Sequence, residues 1–170
     1  MNNPTIRLTA VCLAMLAATA SHAQSVNKGD QAILKDLAQA NIAEVAAGNI
    51  ALQKSTTPEV KQFAQQMVDD HTKGLQAVKD VAQSKSVTLP TEPDAKHKKL
   101  ADKLNSLSGT AFDKAYLAHA GVDDHKAAHQ KVVDAQKKAT DPDVKALAAK
   151  LQPTIDEHLQ KVQGLATKSP

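Results

Sequence analysis

Four residues in this chain could ligate a metal or move a proton, and each sits where an apolar side chain is expected: Glu44, His71, His125 and His158. Glu44 is the one charged side chain between Asp36 and Lys54. Its surroundings, LAQANIAEVAAGNIALQ, have the spacing of a buried helical stripe, where a lone carboxylate is costly unless something pairs with it. The three histidines lie in equally apolar stripes on what read as three further helices. Neutral imidazoles with a carboxylate form a donor set for a borderline transition metal such as iron, zinc, copper or manganese. The same groups could instead close a hydrogen-bonded network with buried water and no metal. Perturbed acid–base behaviour is expected of both arrangements.

Spacing argues that the four meet. Glu44 lies 14 residues before Pro58 and His71 lies 13 after it; His125 lies 17 before Pro142 and His158 lies 16 after it. Positions equally far from the turn of an antiparallel helical hairpin face each other. At about 1.5 Å per residue, both pairs sit roughly 20–25 Å from their turns, in one layer near mid-bundle. The levelling holds whether the turns share an end or lie at opposite ends.

The elements that must position this layer are four long amphipathic helices, giving an all-α chain and an antiparallel four-helix bundle. The first runs from about Gly29 to Ser55. The second opens at Thr56-Thr57-Pro58-Glu59, which reads as a capping box with proline in the first turn, and runs to about Ser84. A connector with two prolines, SVTLPTEPD, precedes a short basic helix from about Ala95 to Leu107. The third long helix is expected from Thr110 to Ala139. The fourth opens at Thr140-Asp141-Pro142-Asp143 and ends near Ala166, with Pro153 inside it as a kink. A weak internal repeat relates Thr57–Lys61 to Asp141–Lys145, and Asp69-Asp70-His71 to Asp156-Glu157-His158.

Two acids precede each of the three histidines. The nearer of them, Asp70, Asp124 or Glu157, is turned about 100° around its helix, where it could accept a proton from an imidazole on the adjacent helix and fix its tautomer. The alternative is that these acids are solvated. His129, one turn after His125, is a candidate extra ligand. His119 lies on a flank, and His97 belongs to the basic short helix.

Composition excludes other chemistry. The first 23 residues read as a Sec-type signal peptide: Arg7, the apolar LTAVCLAMLAATA, and Ser21-His22-Ala23 as the cleavage site. The apolar run is too short to span a bilayer comfortably. Cleavage there leaves 147 of the 170 residues as one domain, exported to the periplasm or beyond, with no transmembrane segment. It removes Arg7 and Cys12, leaving 20 lysines, 18 acids, a net charge of +2 and no disulfide framework. Without arginine, and with only Phe63, Phe112 and Tyr116 as aromatics, the exported chain is a poor nucleic-acid binder. It also carries no phosphate loop, nucleophile elbow or cysteine nucleophile.

The string Val60-Lys61-x-Phe63-Ala64-x-x-Met67-Val68-x-Asp70-His71 resembles the secreted family of domains of unknown function numbered 4142. So do Phe112-Asp113-x-x-Tyr116, His125, and Pro153 followed by His158. The resemblance covers about Asp30 to Leu165. It implies a ferritin-like bundle with one long crossover, which the stretch from Lys85 to Gly109 fits in length. Di-iron members of that superfamily carry Glu-x-x-His on two helices, whereas Val68 and Ile155 stand three positions before His71 and His158. A mononuclear site, or no metal, fits better than a two-iron centre.

Three functions follow as rival expectations. One is an exported bundle that holds one transition-metal ion in envelope stress protection. Another is a metal-free module whose helix surfaces meet an envelope protein or the membrane surface, with an apolar patch on the short helix and connector. The third is an oxidoreductase using a bound metal with peroxide or oxygen, which needs solvent access to the layer.

Overall fold

A computed structural model describes residues 26–168; the expected signal segment and its cleavage point lie outside them. Helix α1 spans Lys28–Lys54 and α2 spans Pro58–Ser84, with α3 at Ala95–Ser106 in the crossover. The third long helix begins as α4 (Gly109–Ala115), widens into a π segment (Tyr116–Asp123) and resumes as α5 (Asp124–Lys138). Helix α6 spans Pro142–Ala166 and continues through Pro153, whose missing N–H leaves the Ala149 carbonyl without its usual partner. No strand occurs among the described residues. The architecture is a ferritin-like four-helix bundle with a long crossover between its two hairpins.

Local chemistry sets the helix ends. Asn27 caps α1 by accepting from the Asp30 N–H, Asp94 caps α3 at His97, and Asp141 caps α6 at Asp143 and Val144. The capping box expected at α2 does not form. The Thr57 hydroxyl donates instead to Asp113 Oδ2 at 2.5 Å, tying the α1–α2 turn to the start of the third long helix. At the opposite end, buried Asp30 accepts from the Thr140 N–H (3.1 Å), the Thr140 hydroxyl (2.7 Å) and the Asp141 N–H (3.0 Å). The two hairpin turns therefore lie at opposite ends of the bundle.

The core has two apolar halves. Leu34, Val78, Val132, Val144 and Ile155 belong to one, while Phe63, Met67, Phe112, Tyr116 and Val162 belong to the other. Between them lie buried Asn41, Glu44, His71, His125 and His158. The connector and α3 turn their apolar side chains inward: Val87 and Leu89 pack on the first half, and Leu100, Leu104 and Leu107 on the second. The exposed patch expected for a docking module is thus spent on covering the core.

Candidate metal centre

Three helices bring His71 (α2), His125 (α5) and His158 (α6) into one triangle. Their ring centroids stand 5.4, 5.3 and 5.4 Å apart, with the planes splayed by 75°, 51° and 69°. One nitrogen from each ring lies within 4.8 Å of the other two. The His71 and His125 Nε2 atoms approach to 3.4 Å.

The far nitrogen of each ring fixes its tautomer. His125 Nδ1 faces two carbonyl oxygens, Gly121 at 2.8 Å and Ala120 at 3.2 Å, so it must carry hydrogen and donate. Those carbonyls belong to the π segment. Where an i→i−5 ladder returns to i→i−4 one carbonyl is passed over, and the imidazole supplies a donor there. His71 Nδ1 donates to Asn41 Oδ1 at 3.0 Å. The Asn41 amide cannot be reversed, because its nitrogen already donates to the Leu37 carbonyl at 2.7 Å. His158 Nε2 donates to Asp70 Oδ2 at 3.1 Å, which leaves its Nδ1 buried without a partner. Every ring therefore presents a bare lone pair: Nε2 of His71, Nε2 of His125 and Nδ1 of His158.

Burial keeps these rings neutral. Burial, followed by the proximity of the other two imidazoles, holds His71 well below the usual histidine range. Burial lowers His125 to about 4. It also lowers His158, against the raising influence of Asp70. Burial alone would raise Asp70, but hydrogen bonds from His158 and Lys73 outweigh it and hold that carboxyl below its ordinary value. Two lone pairs facing at 3.4 Å with no proton between them repel; a cation between them would make the arrangement attractive.

Glu44 stands beside this set and not within it. Its Oε1 lies 3.6 Å from His125 Nδ1, the nitrogen committed to the backbone. Burial, then the charge of Asp124, pushes the Glu44 carboxyl well above its usual range, against the pull of Lys96. Burial, then the Glu44 carboxyl, raises the Tyr116 hydroxyl well above its ordinary value. Among the expected tautomer-fixing acids, Asp70 does hold an imidazole of the adjacent helix. Asp124 faces α3 instead, meeting Lys96 Nζ at 2.7 Å and His97 Nε2 at 3.6 Å. Glu157 is exposed and forms no hydrogen bond or ion pair with an imidazole among the described residues, although its charge acts on His158. His129, offered above as an extra ligand, sits half-exposed at the periphery with Nδ1 on Asp156 Oδ1 at 2.6 Å. One turn along a helix shares a face only approximately, and α6 draws that ring outward.

Two participants escaped the sequence reading. Asn41 orients His71, and Gly74 makes room for it: a Cβ at Gly74 would fall 2.5 Å from Asn41 Oδ1. An uncharged polar residue three positions before Glu44 in an otherwise apolar stripe was the available signal. Beside the layer opens a cavity of about 550 Å³ that reaches Asn41, Glu44, Asp70 and His71. Solvent therefore has access to His71, while His125 and His158 stay sealed.

Fold and site together define a class: a ferritin-like four-helix bundle with three converging, buried, neutral imidazoles at its waist. The chain belongs to the family described as "Domain of unknown function (DUF4142)", whose profile matches residues 15–165. Among solved structures, it is similar to a crystal structure of a DUF305 fragment from Deinococcus radiodurans, with a TM-score of 0.75 and 12% identity over 85% of this chain and 99% of that one. It is also similar to CopM in the Cu(II)-bound form, with a TM-score of 0.68 and 16% identity over 82% of this chain and 96% of that one. At these identities the likeness is one of fold. A search of curated proteins returns no match.

Proposed function

We propose that this protein binds one transition-metal ion through His71 Nε2, His125 Nε2 and His158 Nδ1, and does so as an exported envelope protein that buffers metal under stress. The observation that carries the reading is two bare nitrogens facing at 3.4 Å, with the ring of His158, whose Nδ1 is buried and without a partner, in the same cluster. A tetrahedral ion with bonds of about 2.0–2.1 Å to nitrogen requires ligand atoms about 3.3–3.4 Å apart, which one edge already satisfies. The supports behind each ring are those of a metal site: a carboxylate behind His158, an amide behind His71 and carbonyls behind His125.

Three neutral imidazoles favour copper(II) or zinc over harder ions such as manganese. The copper-bound neighbour of the same fold makes copper the first ion to test. Glu44 is then a neighbour of the centre that can exchange a proton with solvent in the cavity, in place of the fourth ligand expected from its sequence position. The signal-like N-terminal sequence supports export. A redox role is the second reading, favoured by the solvent access to His71.

Elemental analysis of protein isolated from its native compartment tests the proposal. One equivalent of a single transition metal is expected, and its loss when His125 and His158 are both replaced by alanine. Metal-free native protein, or metal retained by that variant, would overturn it.

A further inference from the structure

A cavity of about 550 Å³ opens beside the core, within the size range of small-molecule sites. Its walls are apolar, with Leu37, Val132, Leu151 and Ile155 broken by small residues such as Ala77 and Ala128. Small residues alone would only be loose packing. A second observation comes from Glu44, which lines the inner end with 8% of its side chain exposed. Among the described residues it has no hydrogen-bond partner: His125 Nδ1 is 3.6 Å away and committed to Gly121. A buried carboxyl in this position seeks a partner from the cavity itself.

The outer end carries positive charge. The lining acids are already engaged: Asp70 by His158 and Lys73, Asp124 by Lys96 and His97, Asp94 by His97. Lys131 and Lys150 line the same cavity, are exposed, and form no ion pair among the described residues, although Lys131 lies within the field of Asp94. The cavity thus runs from an unpartnered carboxyl, past aliphatic walls, to two free ammonium groups.

We propose that this cavity binds a small amphipathic acid, with a hydroxyl on Glu44, an apolar body against Leu37, Val132, Leu151 and Ile155, and a carboxylate at Lys131 and Lys150. A hydroxyl both donates and accepts, so it pairs with Glu44 in either protonation state. The site stands apart from the metal reading, because its residues contact the ligand whether or not the three imidazoles hold an ion.

Calorimetric titration of metal-stripped protein with 3-(4-hydroxyphenyl)propionate tests it, alongside 3-phenylpropionate and the corresponding hydroxyphenyl alcohol. One-to-one saturable binding of the hydroxy acid is expected. Removing the hydroxyl should weaken it about three- to tenfold, and Lys131→Gln with Lys150→Gln about threefold. Ala128→Phe should abolish binding by filling the cavity, with helicity and thermal midpoint serving as the check on folding. Ala77→Leu, on the facing helix, serves the same purpose should the first variant unfold. Acid binding is measured on metal-stripped protein and metal binding without the acid, so a failed metal site and a failed acid site give different results. No saturable heat, equal affinity for all three compounds, or unchanged binding in a folded cavity-filled variant would overturn the proposal.

Discussion

Replacing Gly74 with alanine separates ordinary helix energetics from the support of the candidate site. In a helix interior, Gly→Ala is ordinarily stabilising by about 1 kcal/mol. At Gly74 the added Cβ would lie 2.5 Å from Asn41 Oδ1, the atom that accepts from His71 Nδ1 at 3.0 Å. Leu151 closes the other side, with its Cδ2 3.5 Å from the same Cβ. Asn41 must therefore swing away, leaving the His71 N–H unpaired in the core at a cost of about 1–3 kcal/mol. The net expectation is a loss of about 1 kcal/mol. Gly164→Ala is the matched control: it lies on α6 with nothing within 4 Å of the added Cβ, and it should gain about 0.5 kcal/mol. Urea denaturation of both variants measures the difference, and the His71 Nδ1–H resonance should be lost only in Gly74→Ala. If the two variants were equally stabilised, the claim that Asn41 is held in one orientation to fix His71 would be wrong.

Acid should unfold the protein through its imidazoles. Because the unfolded chain takes up protons near pH 6.5 while folded His125 resists until about 4, stability should fall as pH drops through that window. His125 alone contributes on the order of 3 kcal/mol to that loss, measurable as a shift in the urea midpoint between pH 7 and pH 4. Glu44, with its folded carboxyl held above the ordinary value, acts in the opposite sense: its contribution is present at low pH and is lost as pH rises from about 4.5 through its raised value. Glu44→Gln should accordingly stabilise the protein at pH 8 and do little at pH 4. Asp30→Ala should cost about 3 kcal/mol or more, read as a lowered urea midpoint, because three donors at the start of α6 lose their buried carboxylate.

What the sequence made legible was periodicity and distance from turns. The stripe through Val60, Phe63, Met67 and His71 could only be a helix face, and counting outward from Pro58 and Pro142 levelled residues on four helices correctly. The counting could not say which way each side chain turns within its layer. Glu44 reached the level of the histidines but points at the Nδ1 side of His125, and His129 was drawn to Asp156. Thr57 looked like a cap because its neighbours match that pattern, yet Asp113, distant in sequence, competes for its hydroxyl. The π segment was invisible for a related reason. Its register shift is stabilised by tertiary packing around Gly121, where an added Cβ would meet Val162 Cγ2 at 2.3 Å, and by the ring of His125. Asn41 escaped because attention to formal charge passes over a neutral amide, although an amide is what orients a ring without contributing charge.

The most direct test of the centre is titration of the stripped, purified chain with copper(II) and with zinc, following the imidazole nitrogens by NMR and the thermal midpoint together. One equivalent should bind, with direct perturbation at His71 Nε2, His125 Nε2 and His158 Nδ1 while their far nitrogens keep hydrogen. Stability should rise by about 2.7 kcal/mol when free metal reaches a hundredfold excess over Kd. An unchanged midpoint with both ions, or coordination through the half-exposed His119 and His129 in place of the buried three, would contradict this reading.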